Sequence, residues 1–129
     1  MGKIIIGEKA GFCFGVERAL RIAQESRALS SQPVYILGPL IHNPRVVAEM
    51  EKCGIKTISD LNDAEPGGIV LIRSHGAGPP TIKAARERGL QVIDATCPFV
   101  RQEQKLAQKL RAEGFQVVVV GEPEHPEVK

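Results

Sequence analysis

Residues 69–93, IVLIRSHGAGPPTIKAARERGLQVI, decide the fold. The stretch opens with four apolar, mostly β-branched residues, Ile69–Ile72, and so short a run without polar alternation reads as a strand buried on both faces. A loop rich in glycine and proline follows, then a helical pattern over 81–88 closed by Gly89, then a second apolar run over 91–93. Strand, helix and strand at this spacing form one βαβ unit with parallel strands.

Outward from this unit the same alternation recurs. Apolar runs at 3–6, 34–37 and 117–120 read as further buried strands, and 16–29, 45–53 and 100–113 as helices, several ended by a glycine such as Gly54 or Gly114. Residues 55–58 read as one more short strand, and 62–68, with Glu65-Pro66-Gly67-Gly68, as a turn-rich surface loop. The fold class is α/β, built on a parallel sheet of βα units. A chain of 129 residues, 43% hydrophobic, suffices for about one ordinary core. Seventeen basic and fifteen acidic residues give a net charge of +2, with no run of five like charges, so no nucleic-acid partner is indicated. The apolar stretch near the amino terminus is too short for a signal peptide, and nothing reaches the roughly 18 apolar residues of a membrane span. The expectation is a cytoplasmic protein with no membrane partner. In a reducing compartment three cysteines are poor candidates for disulfides and read instead as buried thiols, catalytic groups or metal ligands.

A weak internal repeat bears on that choice. Cys13-Phe14-Gly15-Val16 and Cys97-Pro98-Phe99-Val100 each follow an apolar run and open a helix. Each is then followed by a helix, a strand, a glycine (Gly38, Gly121) and, four residues later, a histidine (His42, His125), with cysteine and histidine 29 and 28 residues apart. Two related α/β units are expected, one over 1–96 and a second beginning at 97–129. In open parallel sheets ligands bind beyond the carboxyl ends of the strands. Cys13, Cys97, His42, His75 and His125 all fall in such loops, whereas Cys53 ends a helix and reads as a bystander.

Singly, each cysteine reads as a small buried hydrophobe and each histidine as a hydrogen-bonded loop residue. Together, in equivalent loops of two units, the cysteines favour a shared ligand role, and a helix amino terminus favours the thiolate that a metal needs. Zinc accepts both residue types, but structural zinc usually takes a close cysteine pair, and none exists here. Thiolates from distant loops suit a cluster lying between units, and histidines beside helix amino termini suit a phosphate or diphosphate. The glycines of 11–15 and 76–78 let backbone approach a ligand, yet neither is a nucleotide-binding fingerprint. Glu127 reads either as a solvated surface carboxylate or as a proton source in the pocket of His125. A non-catalytic α/β module holding zinc or phosphate, and a plain domain with buried thiols, remain the other readings.

Gly11-Phe12-Cys13-Phe14-Gly15-Val16, Ile41-His42-Asn43-Pro44, Ser74-His75-Gly76, Asp94-Ala95-Thr96-Cys97-Pro98 and His125-Pro126-Glu127, in this order and spacing, resemble the LytB (IspH) family of 4-hydroxy-3-methylbut-2-enyl diphosphate reductases. The resemblance implies three α/β units about a 4Fe-4S cluster held by three cysteines, with Cys13 and Cys97 as two of the ligands. It implies that His42 and His75 contact the substrate diphosphate, that His125 lines the substrate pocket, and that Glu127 is the proton source. The implied reaction is the reductive dehydroxylation of an allylic diphosphate to isopentenyl and dimethylallyl diphosphate, the last step of the non-mevalonate isoprenoid pathway, with ferredoxin or flavodoxin as electron donor. The family's third cluster cysteine and its later serine, threonine and asparagine substrate motifs are expected beyond Lys129, so the chain is expected to be an incomplete, inactive fragment. Phe14 stands where many relatives carry a smaller residue.

Overall fold

The computed structural model describes residues 2–8, 10–41, 43–125, 127 and 128. Four strands, β1 (Val34–Leu37), β2 (Ile55–Ile58), β3 (Ile69–Ile72) and β4 (Gln91–Asp94), form one all-parallel sheet in the order β2-β1-β3-β4. The helices are α1 (Phe14–Leu29), α2 (Pro44–Lys52), α3 (Pro79–Glu87) and α4 (Pro98–Ala112), with a single 3-10 turn at Leu61–Asp63.

Strand composition follows strand position. β1 and β3 are central and covered on both faces, so nearly every side chain is apolar and buried. β2 and β4 are edges, and they carry Lys56, Thr57, Gln91 and Asp94. On one face α1 and α2 pack over Val34, Ile36, Ile55, Ile69 and Leu71. On the other, Ala85 of α3, Leu90 and Ala64 cover Tyr35, Ile58 and Val70. Each large apolar side chain buried this way contributes about 1.5–3 kcal/mol. Gly15, Ala19 and Ala23 recur every four residues on α1, and this narrow stripe is the helix's buried face.

The helices start earlier than the apolar pattern suggests. Pro44, Pro79 and Pro98 each stand at a first helical position, where the missing N–H costs nothing. Asn43 caps α2, its side-chain oxygen accepting from the N–H groups of Arg45 and Val46.

Two expected strands are absent. Residues 3–6 and 117–120 join no ladder, and their side chains face water, with Ile4 90% and Val120 95% exposed. A β-branched run prefers the extended state chiefly for the packing that a neighbouring strand provides, and neither run meets a sheet edge here. α4 likewise buries no residue of its own. No helix among the described residues is long and apolar enough to cross a membrane.

Candidate active site

The chain leaves β1 toward β2 on one side, then crosses to β3 on the other, which makes the carboxyl ends of β1 and β3 a topological switch point. Crevices at such points are where open α/β sheets hold ligands. A cavity of about 400 Å³ opens there, lined by Leu37, Ile72, Arg73, Gly76, Thr81 and Glu124. Arg73 reaches across the crevice to donate to the Pro39 carbonyl at 3.4 Å. Burial lowers its pKa, yet a guanidinium keeps its charge. Gly38, in the left-handed region at φ 72°, leaves room for it: a Cβ there would stand 3.0 Å from Arg73 Nη1.

Both cysteine loops reach this edge. α1 runs back toward the start of β1, so Cys13 at its amino cap lies beyond the strands' carboxyl ends, and Cys97 caps α4 directly after β4. The Cys97 thiol packs against the first turn of α1: a Cβ built on Gly15 would stand 2.7 Å from its Sγ and 3.1 Å from its Cβ. The Cys97 N–H donates to Ser74 O at 2.8 Å, joining this loop to the one that carries His75. Cys53 sits elsewhere, at the end of α2 just before β2 begins, and so at the opposite edge of the sheet.

His75, His125 and Glu127 form a second group. The two imidazoles meet edge-on, centroids 5.6 Å apart, and His75 Nε2 lies 3.9 Å from Glu127 Oε1. The Glu127 N–H donates to His125 Nδ1 at 3.3 Å, so in the neutral ring the proton resides on Nε2. His125 N–H donates to Glu122 O and its carbonyl accepts from Val128 N–H, both at 2.9 Å, which keeps the loop tightly turned. His75 is half-buried and Glu127 exposed, at 24% and 38% side-chain exposure. His42 lies outside the described residues. Among the described residues no three His, Cys, Asp or Glu side chains converge closely enough to hold a metal ion by themselves.

Sequence reasoning passed over the polar framework of these loops. Asp94, last in β4, accepts from the Thr96 N–H at 2.9 Å, from the Thr96 hydroxyl and from the Arg101 guanidinium. Burial alone would raise the Asp94 pKa, but the Thr96 hydrogen bonds and the Arg101 charge outweigh it and hold the carboxyl below the ordinary aspartate value. An acid ending a strand two residues before a threonine was the available signal, since that is the Asx-turn pattern. Arg73 had a comparable signal, a lone cation directly after an apolar strand.

The model of the LytB protein family matches residues 4–129. The 4-hydroxy-3-methylbut-2-enyl diphosphate reductase of Aquifex aeolicus is 48% identical over 128 residues, covering 99% of this chain and 44% of the relative. That of Alkaliphilus oremlandii is 44% identical over 127 residues, covering 98% and 45%. Among solved structures, one of (E)-4-hydroxy-3-methyl-but-2-enyl diphosphate reductase, described as the terminal enzyme of the non-mevalonate pathway, superposes with a TM-score of 0.87 at 49% identity, over 97% of this chain and 44% of the other. The Plasmodium falciparum reductase superposes with a TM-score of 0.88 at 35% identity, over 94% and 38%. The chain thus spans a little under half the length of the relatives it matches, and within that span the agreement is continuous in sequence and in backbone: this chain belongs to the LytB protein family.

Proposed function

We propose that this chain supplies the first part of a 4-hydroxy-3-methylbut-2-enyl diphosphate reductase, in which Cys13 and Cys97 hold a 4Fe-4S cluster and His42, His75, His125 and Glu127 handle the substrate. The observation that carries the reading is the meeting of the two cysteine loops, Cys97 Sγ against Gly15 two residues past Cys13, on the edge that also gathers His75, His125 and Glu127. The donor set fits in kind: two thiols on separate loops, close to the α1 backbone, leave other coordination positions for ligands from outside the described residues. When bound, the cluster supplies electrons and a Lewis-acidic iron.

The chain's own residues do the rest. His42 and His75 hydrogen-bond the diphosphate, and binding energy from that unreactive end orients the allylic alcohol. His125, its Nδ1 occupied by the Glu127 N–H, presents Nε2–H toward substrate. Glu127 holds the proton that the departing hydroxyl needs, delivering it directly, through His125 or through water. Isopentenyl and dimethylallyl diphosphate are the products and ferredoxin or flavodoxin the electron donor, in the cytoplasm. Residues 1–96 form the first α/β unit and 97–129 begin the second.

Anaerobic reconstitution with iron and sulfide, read by visible absorption and electron paramagnetic resonance, tests the cofactor. Broad charge-transfer bands are expected, weaker in the 129-residue chain than in one extended to its relatives' length. Reductant-dependent turnover of the allylic diphosphate is expected only from the extended chain. Spectra unchanged by Cys13→Ser and Cys97→Ser together would overturn the ligand assignment.

A further inference from the structure

We propose that Asp94 is the positioning residue for Cys97: by gathering Thr96 and Arg101 onto one carboxylate it sets the turn that holds the Cys97 thiol against α1. The proposal deepens the reading of Cys97 as a cluster ligand and rests on it for its purpose, though not for its geometry. β4 ends at Asp94 and α4 begins at Pro98, so Ala95, Thr96 and Cys97 alone turn the chain from strand to helix. One oxygen of Asp94 accepts from the Thr96 N–H and hydroxyl, and the other from Arg101 in the first turns of α4. The carboxylate therefore grips both ends of the corner. Thr96 is buried, so its hydroxyl has no solvent to replace this acceptor.

The same corner is moored on three sides. Ala95 N–H donates to Ile72 O at 2.9 Å, Cys97 N–H to Ser74 O at 2.8 Å, and Arg18 Nη1 to Thr96 O at 3.3 Å, from β4's neighbour strand, the His75 loop and α1 respectively. These bonds fix the backbone of the corner, and Asp94 fixes its twist. Among the described residues no comparable side-chain network surrounds Cys13, whose carbonyl accepts from the Glu17 N–H at 3.0 Å. Its side chain caps nothing, and the described residues before it are exposed. The two thiols are therefore unequally supported: the Asp94 corner holds Cys97, whereas Cys13 stands exposed at the start of α1.

Alkylation of the folded 129-residue chain by iodoacetamide at one fixed pH, followed cysteine by cysteine by mass spectrometry, tests this. Exposed Cys13 and Cys53 serve as internal references. Asp94→Ala removes hydrogen bonds to a charged group and is expected to raise the Cys97 rate about tenfold or more relative to both references. Asp94→Asn keeps an acceptor for the Thr96 N–H and is expected to rise less. Arg101→Ala, altering an exposed side chain, carries the same test should Asp94→Ala not fold. An unchanged Cys97 rate in Asp94→Ala overturns the proposal, as does an equal rise at all three cysteines in both alanine variants, since Asp94 would then serve the whole fold. Anaerobic reconstitution of Cys97→Ser in the chain extended to its relatives' length separates the two readings: cluster absorbance equal to wild type counts against Cys97 as a ligand, while the alkylation rates still decide its positioning.

Discussion

Replacing Gly15 by alanine should damage metal loading far more than stability. Gly15 sits in the first turn of α1 with ordinary helical geometry, so on propensity alone alanine would gain about 1 kcal/mol. The new methyl would, however, stand 2.7 Å from Cys97 Sγ, roughly 1 Å inside the ~3.5–4.0 Å at which such atoms sit comfortably. The thiol cannot simply swing aside, because the Cys97 Cβ is also only 3.1 Å away and its backbone is tied to Ser74. Overpacking of this kind costs about 1–3 kcal/mol, so the net loss of stability is at most about 2 kcal/mol. Displacing the proposed ligating atom by about 1 Å is more serious, and a hundredfold loss of function is the appropriate scale. The assay is anaerobic reconstitution in the chain extended to its relatives' length, with cluster absorbance per protein followed alongside thermal melting. A melting temperature of the metal-free chain within several degrees of wild type and a loss of cluster occupancy are expected. Wild-type occupancy in Gly15→Ala would refute the claim that close backbone approach defines the thiol's position.

Other perturbations probe the sheet, the crevice and the network. Leu71→Ala, at a fully buried position of β3, should cost about 2–5 kcal/mol by denaturant unfolding with an unchanged slope. His75→Ala in the extended chain should raise KM for the allylic diphosphate about tenfold through loss of a charge-assisted hydrogen bond, and steady-state kinetics with an unaltered KM would count against a phosphate contact. Asp94 has a depressed folded pKa, so its contribution is complete above the ordinary aspartate value near 3.9 and fades as pH falls through the lower folded value. Asp94→Asn should therefore flatten the acid limb of a plot of stability against pH, and an acid limb identical to wild type would show that the carboxylate is not responsible.

Much of the sheet was legible because its central strands cannot be anything else: four apolar residues such as Ile69–Ile72, bounded by turns, suit only a position covered on both faces. The parallel arrangement followed from the helical stretches between strands. Helix starts were placed two residues late at Thr81 and Val100, because prolines that open a helix resemble the loop preceding it. The exposed runs 3–6 and 117–120 were misread as strands because pairing is decided by distant chain, which local composition does not record. Within the candidate site, Cys97 and His75 were visible from their places after β4 and β3, whereas His125 was picked out by its place after the run 117–120, which forms no strand. The Gly15–Cys97 contact and the Asp94 corner were not, since one depends on how α1 docks and the other on side-chain geometry within a three-residue turn.

The contact between Gly15 and Cys97 joins positions 82 residues apart in the chain, so the proposed ligand pair Cys13 and Cys97 has no preformed counterpart in the unfolded polypeptide. Whatever both Cys13 and Cys97 grasp therefore binds the folded chain better than the unfolded one, and by mass action it lends affinity to folding: at most about 2.7 kcal/mol at a concentration one hundred times its dissociation constant. Occupancy and melting temperature become two readings of a single equilibrium, so heat resistance alone reports whether the thiols are filled. In a cell, supply of the proposed cluster would then govern how long newly made polypeptide escapes proteolysis.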